Sequence, residues 1–166
     1  MRNKHVLFIT QAAMIAALYT VLTFVANALG LANYSIQVRF SEALTVLPAL
    51  TPSAIPGLFI GCILSNTLTG CMPLDIIFGS LATLVGAIGT FLLRKNKILA
   101  PIPPIIANTI VVPFVLAYVY KLDGTIPLFM LTVGAGEIIS CAVLGLPLLF
   151  GLQKRASHLF SSEVLH

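Results

Sequence analysis

Ser41-Glu42-Ala43-Leu44-Thr45-Val46-Leu47-Pro48-Ala49-Leu50-Thr51-Pro52-Ser53-Ala54-Ile55-Pro56 decides how this chain folds, because it reads either as a short helix and a turn or as half of one longer helix. Around it the sequence is uniformly apolar. Of the 166 residues 58% are hydrophobic and 8% charged, and the mean hydropathy is +1.06. Soluble domains carry about 25% charged residues, so the composition describes an integral membrane protein. The apolar runs are roughly 20 residues long and lack strand-like alternation, which predicts spanning helices and excludes a barrel. The expected fold is all-α, with one membrane domain over residues 1–166.

Spans are expected near Val6 to Leu29, Ser41 to Thr51, Ala54 to Thr69, Asp75 to Leu93, Ile98 to Tyr120 and Ile126 to Leu152. Eleven α-helical residues rise only about 16 Å, so the second is a short or tilted helix, or it merges with the third. Charge decides. With six spans and an inside N-terminus, Arg2, Lys4, Arg94, Lys95, Lys97, Lys154 and Arg155 fall inside, and Arg39 and Lys121 outside. With five spans only Arg2, Lys4 and Lys121 stay inside, against the positive-inside rule. Six transmembrane helices with both termini cytoplasmic and a short second helix are therefore predicted, with Thr51 to Pro56 as a tight inner turn. The first apolar run exceeds the roughly 7 to 15 residues of a signal core, so it is read as a retained span despite Ala26-Asn27-Ala28 resembling a cleavage site.

Small residues recur at four-residue spacing: Gly57, Gly61, Ser65 and Thr69; Ala82, Gly86 and Thr90; Gly136 and Ser140. Such stripes let helix backbones approach closely in lipid. The first span carries two adjacent stripes, Ala12 with Ala16 and Ala13 with Ala17. One could pack internally while the other accepts a helix of another protein.

Gln37, Arg39, Glu42, Asp75, Lys121 and Asp123 fall at or near the outer surface, with Gln37, Arg39 and Glu42 as lip and lid of a pocket. Glu137 lies about 11 residues into the last span, at roughly 16 Å of depth, and is read as the floor. An intramembrane carboxylate must face a partner, a cavity or a proton. Asp75 after Pro73 suits either a helix N-terminal residue or a ligand contact, and Arg39 with Glu42 either an i,i+3 ion pair or a binding pair. Asn66 and Asn108 are amides at membrane depth, where helix-to-helix hydrogen bonds are the common role. Tyr34 either stacks on a planar ligand or marks the interface. Carboxylates in a dry site suit paired N–H donors, as on a guanine-type base, or an ammonium group. No glycine loop followed by Lys and Ser or Thr is present, so the chain is not expected to hydrolyse ATP. Cys62, Cys71 and Cys141 lack paired ligand spacing, and no metal or cofactor is expected. His5, His158 and His166 all lie at the ends, which argues against an enzyme.

The runs Val38 to Pro48, with Arg39-Phe40-Ser41-Glu42 at its centre, Pro56-Gly57-Leu58-Phe59-Ile60-Gly61-Cys62-Ile63-Leu64-Ser65-Asn66 and Asp75 to Leu84 resemble the QueT family. Its members are S components of energy-coupling factor (ECF) importers for queuosine precursors. The resemblance implies a multi-pass protein of the bacterial cell membrane with an outward-facing pocket. It also implies as partners a transmembrane T component and two cytoplasmic ATPases, with no nucleic acid. The T component would dock on the alanine face of span 1, Ala12, Ala13, Ala16 and Ala17, and above all on Ala13 and Ala17. The implied ligand is the aminomethyl-deazaguanine precursor or queuine. Within the pocket Glu137, then Glu42, is assigned the paired N–H edge and Asp75 the amine. Gln37, Asn66 and Asn108 would take carbonyl or ring-nitrogen contacts, and Arg39 the carbonyl oxygen or an ion pair with Glu42. Two rivals stand beside this reading: an S component for another vitamin or purine, and a proton-coupled secondary transporter using Glu137, which a chain without an obvious inverted repeat fits less well.

Overall fold

The computed structural model describes residues 4–31 and 38–154, and among them every regular element is helical. Helix α1 covers Lys4–Ala28, a 3-10 helix Phe40–Ala49, α2 Ala54–Leu68, α3 Pro73–Leu92 and α4 Ile102–Phe114. The last rod is composite: α5 over Ile126–Glu137, a π-helical stretch over Ile138–Leu144 and α6 over Gly145–Gln153. A second π-helical turn, Val115–Val119, extends α4. Among the described residues four helices are long and apolar enough to cross a membrane: Lys4–Ala28, Pro73–Leu92, Lys97–Val119 and Ile126–Gln153. The 15 residues of α2 form a shorter apolar helix.

Local chemistry sets the helix ends. α3, α4 and α5 each begin with proline in the first turn, where the missing N–H costs nothing. α1 and α2 end on Gly30 and Gly70 in the left-handed region, at φ of 74° and 76°. In each case the following N–H reaches back five residues, Leu31 to Ala26 at 3.0 Å and Cys71 to Asn66 at 2.9 Å, which satisfies the last carbonyls.

Side-chain contacts give the direction of each piece. The Thr23 hydroxyl donates to Ser41 Oγ at 2.9 Å, and Gln11 Oε1 accepts from Ser53 Oγ at 3.0 Å, so the 3-10 helix descends antiparallel to α1. α2 rises again beside α1. Its Gly57 meets Ala12 and Ile15, and its Gly61 meets Ala16 and Tyr19. α3 descends, pairing Thr83 with Cys62 at 3.5 Å, and α4 rises, with Pro104 against Gly86 and the Tyr120 hydroxyl donating to Asp75. The last rod descends past Asn108 and brings Gly145 against Val46. The six segments thus alternate, and the first begins on the side of the bundle where the last ends.

The second segment differs in character from the short α-helix expected over Ser41 to Thr51. It is a 3-10 helix, and every residue from Ser41 to Ala49 is buried. A 3-10 rise of about 2.0 Å per residue carries ten residues roughly 20 Å, so tight winding gives the reach that an α-helix of this length lacks. Runs this long are uncommon, and here the other helices enclose it. Apolar side chains face outward around it, including Ile9, Leu68, Val85 and Leu131. In a bilayer that surface meets lipid. The core at the lower half is apolar as well, with Leu44, Leu47, Leu50, Leu58 and Leu149 in one cluster.

Candidate functional site

The upper end of the bundle holds a cavity of about 340 Å³. Its walls come from α1, the loop into the 3-10 helix, the top of α2, the start of α3 and the end of α4, and include Asn27, Arg39, Asn66, Asp75 and Tyr120. This volume lies at the low end of small-molecule sites, roughly 300 to 1,000 Å³. Beneath it a cleft of about 10 Å³, room for a single water, shares Arg39 and Asp75 and continues to Glu42, Gly79, Asn108 and Glu137.

Four helices build the floor. Glu42, 2% exposed, and Glu137, 8% exposed, come from the 3-10 helix and α5 and meet across Asn108 of α4. The Asn108 amide donates to Glu137 Oε1 at 3.0 Å and to Glu42 Oε2 at 3.5 Å. The Tyr19 hydroxyl, from α1, donates to Glu42 Oε1 at 2.5 Å, and the Cys141 thiol to Glu137 Oε2 at 3.3 Å. Every oxygen of the two buried carboxyl groups therefore has a donor. Leaving any of them unpaired would cost about 1–3 kcal/mol or more, so the four hydrogen bonds hold the floor in one arrangement. Ligand atoms of Glu42, Glu137 and Cys141 lie within 4.8 Å of one another, a geometry that could hold a metal ion. The donors already on those oxygens make a hydrogen-bonded network the simpler description.

Glu42 is thus not on the lip. The 3-10 helix threads inside the bundle and carries it down beside Glu137, so the two expected carboxylates share one floor. Nor do Arg39 and Glu42 pair. Among the described residues the Arg39 guanidinium makes no ion pair or hydrogen bond, its backbone N–H donating to Ser140 Oγ at 3.2 Å, while Asp75 and Glu42 lie within electrostatic range. Arg39 lines both the cavity and the cleft. Asp75 is buried rather than a solvated helix end, and its Oδ2 accepts from the Tyr120 hydroxyl at 2.8 Å. Tyr120 in turn accepts from the Met72 N–H at 3.2 Å, tying the end of α4 to the start of α3 at the mouth. Partial burial, with the Asp75 carboxyl group adding to it, pushes the Tyr120 phenol well above its ordinary range, so it remains a donor.

Of the residues expected at the site, Arg39, Asn66 and Asp75 line the cavity, and Glu42, Asn108 and Glu137 line the cleft. Tyr34 and Gln37 lie outside the described residues. Tyr19, Tyr120 and Cys141 were not among the expected residues. Cys141 follows Glu137 by four residues, a spacing that puts both on one helix face; a tyrosine in mid-span needs a partner for its hydroxyl, which was the signal for Tyr19. On α1, Ala12 and Ala16 are buried against Gly57 and Gly61, which removes them from any docking face, while Ala13 and Ala17 are exposed.

A family model described as QueT transporter matches residues 9–154. No curated protein and no solved structure matches the chain.

Proposed function

The chain belongs to the QueT transporter family, and from that premise we propose that it is the substrate-binding S component of an ECF importer, capturing a queuosine precursor from outside the cell. Family membership makes it a multi-pass membrane transporter and not an enzyme; ligand and partners are our reading. One observation carries that reading: a polar cavity open at one end of the bundle, with two buried carboxyl groups at its floor and an apolar core beneath. A one-sided pocket suits capture, and passage across the membrane is left to partner proteins.

The ligand is an aminomethyl-deazaguanine or queuine, both built on a flat deazaguanine ring rich in N–H donors. Glu137 and Glu42 take the paired N–H edge when Asn108 gives way to it. Asp75 takes the amine, the Arg39 fork the ring carbonyl, and Asn66 a further polar contact. Ala13 and Ala17 form the face for the T component.

Competition binding to the purified chain in nanodiscs tests the ligand class. Aminomethyl-deazaguanine and queuine should displace one another and remain undisturbed by thiamine or riboflavin. Binding of either vitamin with failure of every deazapurine overturns the proposal.

A further inference from the structure

Gly79 sits one turn below Asp75 on α3, is buried, and lines the cleft between cavity and floor. Other buried glycines of the bundle are pressed by a neighbouring helix. A Cβ on Gly57 would come within 2.8 Å of Ala12 O, and one on Gly86 within 2.7 Å of Pro104 Cα. At Gly79 a Cβ would instead meet two polar side-chain atoms, Asn66 Nδ2 and Asp75 Oδ1, each at 3.4 Å, with no atom of another helix among the described residues within 4 Å except Asn66 Nδ2. The bare backbone leaves a notch between them.

Both polar groups have capacity to spare. Tyr120 occupies Asp75 Oδ2, and among the described residues Oδ1 has no hydrogen bond. Asn66 is only 2% exposed, and among the described residues its carboxamide makes one hydrogen bond, a 3.6 Å approach to Cys62 Sγ. A thiol is a weak donor and a weak acceptor, so Asn66 can turn either its oxygen or its NH₂ toward the notch at little cost. Asn66 also lines the cavity, so its carboxamide is open to a ligand atom entering from there. On the wall of the notch itself, Asp75 Oδ1 offers an ammonium group an oxygen to which it can donate.

We propose that the notch over Gly79, between Asp75 and Asn66, receives the ammonium-bearing arm of the ligand, which makes Gly79 a specificity-determining position. The inference rests on the reading of the chain as a deazaguanine-binding subunit. The arm enters where a side chain would otherwise stand; its ammonium donates to Asp75 Oδ1 and to the Asn66 oxygen, and the ring extends toward Arg39. A single added methyl group fills the space.

The test compares two probes, 7-aminomethyl-7-deazaguanine and 7-deazaguanine, which lacks the arm, on the full chain in nanodiscs. Gly79→Ala should lower the ratio of the two affinities by about tenfold or more by weakening the aminomethyl compound selectively. Gly151→Ala, whose Cβ meets nothing within 4 Å, should leave the ratio unchanged. Should Gly79→Ala not fold, Asp75→Asn should produce the same fall in the ratio. A ratio unchanged in these variants, in a wild type that binds both compounds, overturns the notch alone. A wild type that binds neither overturns the functional reading, and the notch with it.

Discussion

Tyr19 brings one hydroxyl into the middle of an apolar helix, and its hydrogen bond to Glu42 fixes α1 against the buried 3-10 segment. Tyr19→Phe removes that donor from a buried carboxyl oxygen. Thermal unfolding in detergent should show a loss of about 1–3 kcal/mol, and an unchanged midpoint would contradict the assigned role. Glu42→Gln and Glu137→Gln retain size while placing an NH₂ where each floor expects acceptors. Titration with aminomethyl-deazaguanine should find both weakened by more than about tenfold, or roughly 1.4 kcal/mol. If neither weakens, the floor does not touch ligand.

Among the elements, α3 and α4 approach so closely that a Cβ on Gly86 would lie 2.7 Å from Pro104 Cα. Gly86→Ala should therefore cost about 1–3 kcal/mol through overpacking, read as a lowered thermal midpoint, while Gly151→Ala is neutral. α1 has two faces that separate in the same way. Ala16→Trp should destabilise the isolated chain because Ala16 packs on Gly61, whereas Ala17→Trp should leave its stability and ligand binding intact and prevent co-purification with the T component. Co-purification of Ala17→Trp at the wild-type level would remove that face from the proposal. The same stripes show how far the sequence could be read. Four-residue spacing of Gly57, Gly61 and Gly86 marked contacts that the bundle makes, and charge bias required an even number of segments. Glu42 was misplaced because its depth depends on a helix type. Propensity and periodicity do not distinguish ten residues of buried 3-10 helix from a short α-helix at the rim. Glu137 was legible because a carboxyl group in mid-span has few explanations, while the donors on its oxygens come from distant parts of the chain.

For the whole molecule, six alternating segments leave the polar cavity at one end and the apolar core around Leu44, Leu50, Leu58 and Leu149 at the other. Under the proposed function binding and transport should then be separable, the first belonging to this chain and the second to the proposed assembly with a T component and ATPases. Sealed proteoliposomes containing only this chain, supplied with labelled aminomethyl-deazaguanine and an imposed pH gradient, test that claim most directly. The account predicts saturable label at about one ligand per chain, indifferent to the gradient and displaced by unlabelled compound. Gradient-driven accumulation of free label in the lumen would contradict it.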